Sequence, residues 1–168
     1  RGRCRDCRGR ISLVYPLVEI LTSALLVVNL ATYGLTAEGV KSALLGMLLI
    51  VLIFTDLRER RIPHAATLFG ISLGLLLSFV VPVDSRPLDW VLQRLGFFLD
   101  EVVLSFLGAV AGALLGGGLF YAVGEAFYHL GGKKKEYLGF GDVMLMLMVG
   151  TFLGIPLTFL TILLGSLG

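Results

Sequence analysis

The chain has 168 residues, 57% of them hydrophobic and only 15% charged, with a mean hydropathy of +0.92. A soluble domain is about half apolar and about a quarter charged. The net charge is only +2, and the basic residues sit beside hydrophobic runs rather than along one polar face. That pattern excludes nucleic acid as a partner and leaves a lipid bilayer as the medium for which the chain is built.

In chain order, the first block is RGRCRDCRGR, which holds five arginines and both cysteines, Cys4 and Cys7. It cannot enter a bilayer. Residues 1–12 are therefore expected to form a cysteine-bearing remnant outside the membrane, and residues 13–168 a transmembrane domain. The absence of an initiator Met and the stop at Gly168 within a hydrophobic run suggest a fragment of a longer protein. Residues 15–33 make a first span, with Pro16 where a helix start tolerates it. Residues 42–55 make a second, short run that Asp56 and Leu57 extend. The basic loop DLRERRIPH follows, and then a third run over 65–83.

Residues 86–99 alternate apolar and charged side chains at helical spacing, which predicts an amphipathic segment on the membrane surface with Trp90 near the interface. The fourth run, 102–130, carries Gly108, Gly112 and Gly116 at intervals of four. This is a small-residue stripe that lets a second helix approach closely. After Lys133, Lys134 and Lys135 the chain is hydrophobic to its end, and Pro156 is expected to divide that stretch into one helix and the start of another. The fold class expected is all-α: a polytopic membrane bundle of about five to six transmembrane helices with short basic loops.

The charges orient this bundle. Arginines 1, 3, 5, 8 and 10, arginines 58, 60 and 61, and the three lysines fall on one side when the four spans alternate, and they are eleven of the fourteen basic residues. The positive-inside rule makes that side cytoplasmic.

Two acids stand apart from the rest. Asp56 ends a hydrophobic run and Asp142 begins one, and the alternation of spans puts both on the basic side. A carboxylate at such a boundary is costly unless water or a partner is available, so it is a functional candidate. Two on one face suggest a dyad in which one group keeps a proton while the other acts as a base on water. The residues are equally consistent with two helix caps, since Asp142 at a helix start suits the dipole. They also fit a proton- or ion-coupled transporter component, although such acids commonly lie nearer the bilayer midplane. Gly139 and Gly141 precede Asp142 in the pattern Gly-Phe-Gly-Asp, where glycine permits unusual turns and close approaches.

Three stretches, CRDCRGRISLVYPLVE, FTDLRERRIPH and GFGDVMLMLMVGTFLG, with the long small-residue helix between the last two, resemble the type 4 prepilin peptidases, a family of GxGD intramembrane aspartyl proteases. The resemblance covers nearly the whole chain. It implies that Asp56 and Asp142 are the catalytic pair, that Gly139 and Gly141 shape the active-site turn, and that no metal takes part in proteolysis. It also implies substrates that are precursors of type IV pilins or type II secretion pseudopilins, cut at the cytoplasmic membrane face.

The chain departs from the family at three places. Met144 stands where Lys is usual, His64 where Asn or Asp often follows Ile-Pro, and one Cys-x-x-Cys pair is present instead of two. A tetrahedral structural zinc site needs four ligands, of which Cys4 and Cys7 supply two. A structural zinc, and N-methylation of the new amino terminus with S-adenosylmethionine, are therefore expectations for the full-length protein only.

Overall fold

A computed structural model describes residues 12–59, 62–130 and 139–167. The cysteine segment with Cys4 and Cys7, Arg60, Arg61 and the lysine turn at 133–135 lie outside the described residues. Among those described there are six helices and no strand: α1 (Val14–Tyr33), α2 (Ala37–Glu59), α3 (His64–Leu77), α4 (Arg86–Arg94), α5 (Glu101–Leu130) and α6 (Phe140–Gly165). Four of them, α1, α2, α5 and α6, are long and apolar enough to cross a membrane. The third expected span is shorter than the hydropathy of 65–83 suggests. The 14 residues of α3 rise about 21 Å, less than the roughly 30 Å of a bilayer core. The amphipathic segment likewise keeps helical form only through Arg94.

Packing is organised by small residues. Helix α5 lies most extensively on α6, and α3 packs on α6 as well. A Cβ placed on Gly112 would lie 2.6 Å from the carbonyl oxygen of Gly150, and one on Gly116 would lie 2.6 Å from that of Met146. The stripe predicted on α5 thus brings two backbones into contact, as expected where lipid gives no hydrophobic drive for helix association. Gly108, the third member, faces Ser85 instead. Gly70 and Gly74 form a second such stripe on α3, seated on Met148, Thr151 and Phe152 of α6. Leu45, Leu52, Met148, Val149 and Phe152 fill the core between α2 and α6. Helix α1 packs on α2, yet none of its residues is buried.

The expected division at Pro156 appears as a break inside α6. Gly154 has φ 71° and ψ −172°. Pro156 has no N–H to give to the carbonyl of Phe152, so the helical ladder cannot run through it unbroken. Val83 is buried against this break, occupying the space a Cβ on Gly154 would need. The segment that carries Val83 is held from two sides. Lys41, itself buried, donates from Nζ to the carbonyl of Val81 at 3.1 Å. Ser105 Oγ accepts from Val83 N at 2.9 Å and donates to the carbonyl of Ser78 at 2.7 Å.

Ser105 is therefore a single hydroxyl serving two backbone groups. Ser105→Ala leaves the buried Val83 N–H without its acceptor, a loss of about 1–3 kcal/mol. Thermal unfolding of the purified protein in detergent is expected to show that loss, with Ser105→Cys or Ser105→Thr closer to the parent.

Candidate active site

Asp56 lies in the last turns of α2 and Asp142 in the first turn of α6. These helix ends meet at one end of the bundle because α3, entered through Ile62 and Pro63, runs back from α2 along α6. Asp56 and Glu59 from α2, residues 62–64 leading into α3, and residues 139–142 at the start of α6 all line one cavity of about 810 Å³. Asp56, Glu59, His64, Gly139, Phe140 and Asp142 are exposed there, and Ile62, Pro63 and Gly141 half-buried. Two acids separated by more than eighty positions in the sequence thus face the same space.

The turn before Asp142 is seated on the 62–64 loop. A Cβ on Gly141 would lie 3.0 Å from Ile62 Cβ and 3.2 Å from its Cδ1, so glycine at this position allows the close approach of α6 to the loop. The Phe140 ring meets His64 edge to face, with centroids 5.7 Å apart and planes inclined by 61°. Asp142 N donates to the Gly139 carbonyl at 2.9 Å, closing the turn. Gly139 itself has φ −70° and ψ 138°, which any residue adopts, and a Cβ there would make only ordinary contacts, with the Asp142 carboxylate at 3.6 Å and Gly141 N at 4.0 Å. The special backbone conformation suggested by the two glycines is absent. The structural demand falls on Gly141 and is one of space.

Glu59 and Phe140 are lining residues that the sequence reading did not single out. Glu59 follows Asp56 by three positions on the same helix, a spacing that places two side chains on one face. Met144 is half-buried and does not line the cavity. Among the described residues no three His, Cys, Asp or Glu side chains are placed to hold one metal ion. The cavity brings together three carboxylates, of Asp56, Glu59 and Asp142, and the imidazole of His64, groups that can exchange protons with water.

Comparison with known proteins gives the family. Residues 43–168 match the model of the Type IV leader peptidase family, and residues 1–33 that of the Bacterial Peptidase A24 N-terminal domain. The chain is 34% identical over 153 residues to a prepilin leader peptidase/N-methyltransferase of Myxococcus xanthus, covering 91% of this chain and 39% of that protein. It is 34% identical over 167 residues to the protein of that description from Aeromonas hydrophila, covering 99% and 50%. To the one from Bacillus subtilis it is 28% identical over 171 residues, covering 99% and 58%. The chain thus spans about half the length of these curated relatives. No solved structure matches it.

Proposed function

Since the chain belongs to the type IV leader peptidase family, we propose that it is a membrane-embedded aspartic endopeptidase that removes the leader peptide from type IV prepilins or type II secretion pseudopilins. The observation that carries this reading is the convergence of Asp56 and Asp142 on one accessible cavity at the ends of two apolar helices. The ionised member of the pair takes a proton from water, and the resulting oxygen nucleophile attacks the scissile carbonyl carbon. The protonated member donates toward the carbonyl oxygen. Collapse of the tetrahedral species breaks the C–N bond, and a proton passes to the departing amine. The steps need two carboxylates and one water and call on no cofactor.

The clustering of arginine and lysine on the side of Asp56 and Asp142 supports a cytoplasmic cleft in the inner membrane. There a leader just preceding a hydrophobic helix would lie at the level of the two acids. For the longer protein, Cys4 and Cys7 would supply two thiolates to a structural zinc with two more ligands from elsewhere. N-methylation of the new amino terminus with S-adenosylmethionine would likewise belong to the longer protein and its cysteine-bearing segment, which lies outside the described residues.

The test is reconstitution of the protein in vesicles with a prepilin-type precursor, followed by mass analysis of the products. One cut at the junction of leader and hydrophobic segment is the result expected. An intact precursor, with the protein folded, would overturn the reading.

The glycine turn provides a finer test. Gly141→Val drives a branched side chain into Ile62 and displaces Asp142, and misplacement of a reacting group by about 1 Å can cost roughly 10²-fold in rate. Gly139→Ala, which meets only ordinary contact, is expected to cut at nearly the parent rate. Equal rates for the two variants would remove Gly141 from any part in holding the site.

A further inference from the structure

At the end of the bundle away from the acid cleft, α4 and the turn after it connect the short α3 to α5. This stretch presents a run of apolar side chains that nothing in the described chain covers. Leu95 is 67% exposed, Phe97 60% and Phe98 85%, and Trp90 is 63% exposed on the other shoulder of the helix. A Cβ on Gly96 would meet no atom within 4 Å.

We propose that residues 90–99 are a membrane-surface anchor, with α4 lying in the boundary between headgroups and acyl chains and Phe97 and Phe98 as an inserted tip. This goes beyond an amphipathic helix resting on the surface, because the local geometry builds the tip. Gly96, at φ 81°, ends α4 in a Schellman turn: Phe97 N donates to the Leu92 carbonyl at 3.0 Å and Gly96 N to that of Gln93 at 3.1 Å. The turn satisfies the last backbone groups of the helix while it directs two aromatic rings outward. With the Gly96 and Phe97 N–H groups bonded inside the turn, the backbone leading into the tip enters a medium of low polarity at reduced cost.

Three further observations choose lipid as the occupant. Helix α3 rises about 21 Å from the level of the acid cleft, and residues 78–85 connect its end to α4, which brings α4 to the region of the far interface of a roughly 30 Å core. The tip then runs directly into Glu101, the first residue of an apolar span, so its exposed rings continue the lipid-facing surface of that helix. The charges also favour apolar insertion over attraction to anionic headgroups. Asp84, Asp89, Asp100 and Glu101 outnumber Arg86 and Arg94 along the connection. Arg94 lies over the Trp90 ring, 5.4 Å from its centroid, and the Asp89 carboxylate accepts from Gln93 Nε2 at 2.8 Å. The polar side of α4 is thus composed of groups suited to the headgroup layer. The anchor does not depend on the peptidase reading.

Trp90 is the only tryptophan of the chain, which gives a direct test. The protein is reconstituted in phosphatidylcholine vesicles with bromine on the acyl chains, and Trp90 emission is followed. It is then compared with a Trp90→Phe, Phe98→Trp double variant. Both reporters are expected to emit to the blue of tryptophan in water and to be quenched by the brominated lipid, position 98 more strongly than position 90. Addition of phosphatidylglycerol is expected to leave both signals unchanged. Quenching by aqueous iodide in place of the lipid would put the segment in water and overturn the proposal. Protection of position 98 from both quenchers would mean that protein covers the tip, and would overturn it as well. A depth at position 98 equal to or shallower than that at position 90 would overturn the inserted tip.

Discussion

Asp56→Asn and Asp142→Asn are each expected to reduce leader-peptide cleavage by roughly 10²–10⁴-fold or more, the range that general acid–base groups contribute. Asparagine keeps the shape of the side chain and loses the ability to take or give the proton, so the substitution removes chemistry and leaves the cavity. Both aspartates are exposed, and substitutions at such positions usually change stability by no more than about 0.5 kcal/mol. Asp142→Asn also gives up a favourable charge at the start of α6, about 0.3–1 kcal/mol. Folding is therefore expected to survive while turnover does not, and helix content with thermal unfolding in detergent separates the two. The double variant is expected to be no slower than either single one, because groups that act as a unit are not additive. A variant that cuts at the parent rate would remove its residue from the reaction. If neither change affects cleavage, proton or ion flux across vesicles becomes the measurement of interest.

Much of this arrangement was legible in the sequence, for identifiable physical reasons. Span positions follow from hydropathy because a bilayer requires long apolar helices with their backbone groups satisfied internally, and α1, α5 and α6 fall close to where the runs place them. The α5 glycine stripe could be read because a spacing of four keeps residues on one face of a helix with 3.6 residues per turn. The stripe on α3 has the same spacing at Gly70 and Gly74, but with two members among apolar neighbours it carries a weaker signal than the three on α5.

The length of α3 was not legible. Residues 78–83 are as apolar as a helix requires, yet they form a crossover whose shape depends on Lys41 and Ser105, distant partners in the sequence. The break in α6 was visible through Pro156, but its position at Gly154 depends on Val83 packing against it. At the cleft, Asp56 and Asp142 stood out because charge at a hydrophobic boundary is rare, and a local motif marked the second. Glu59 was hidden by the basic residues around it. The reason for Gly141 lies in Ile62, across a gap in sequence that no local pattern encodes.

The second large effect concerns the contact that carries Asp142. Gly112→Leu and Gly150→Leu are each expected to destabilise the bundle by about 1–3 kcal/mol or more, the cost of forcing extra volume into a packed interior. The upper part of that range is favoured here, because what the new side chain meets is backbone. On Gly112 a Cβ would lie 2.6 Å from both the Gly150 oxygen and the Gly154 carbonyl carbon, and on Gly150 2.6 Å from Ala113 Cα. A flexible side chain could swing aside, whereas two helices can only separate, and separation of α5 from α6 also disturbs the helix that begins at the acid cleft. Cleavage and thermal stability are thus expected to fall together in these variants, in contrast to the aspartate changes, where stability holds.

Gly118 provides the control on the same helix. It is exposed, and a Cβ there meets nothing within 4 Å. Gly118→Ala relieves the helix penalty of glycine, about 0.8–1.0 kcal/mol, and is expected to match or exceed the parent in thermal unfolding. If Gly112→Leu proves as stable as Gly118→Ala, the backbone contact between α5 and α6 does not set the stability of the bundle, and Asp142 must be held in place mainly by the 62–64 loop.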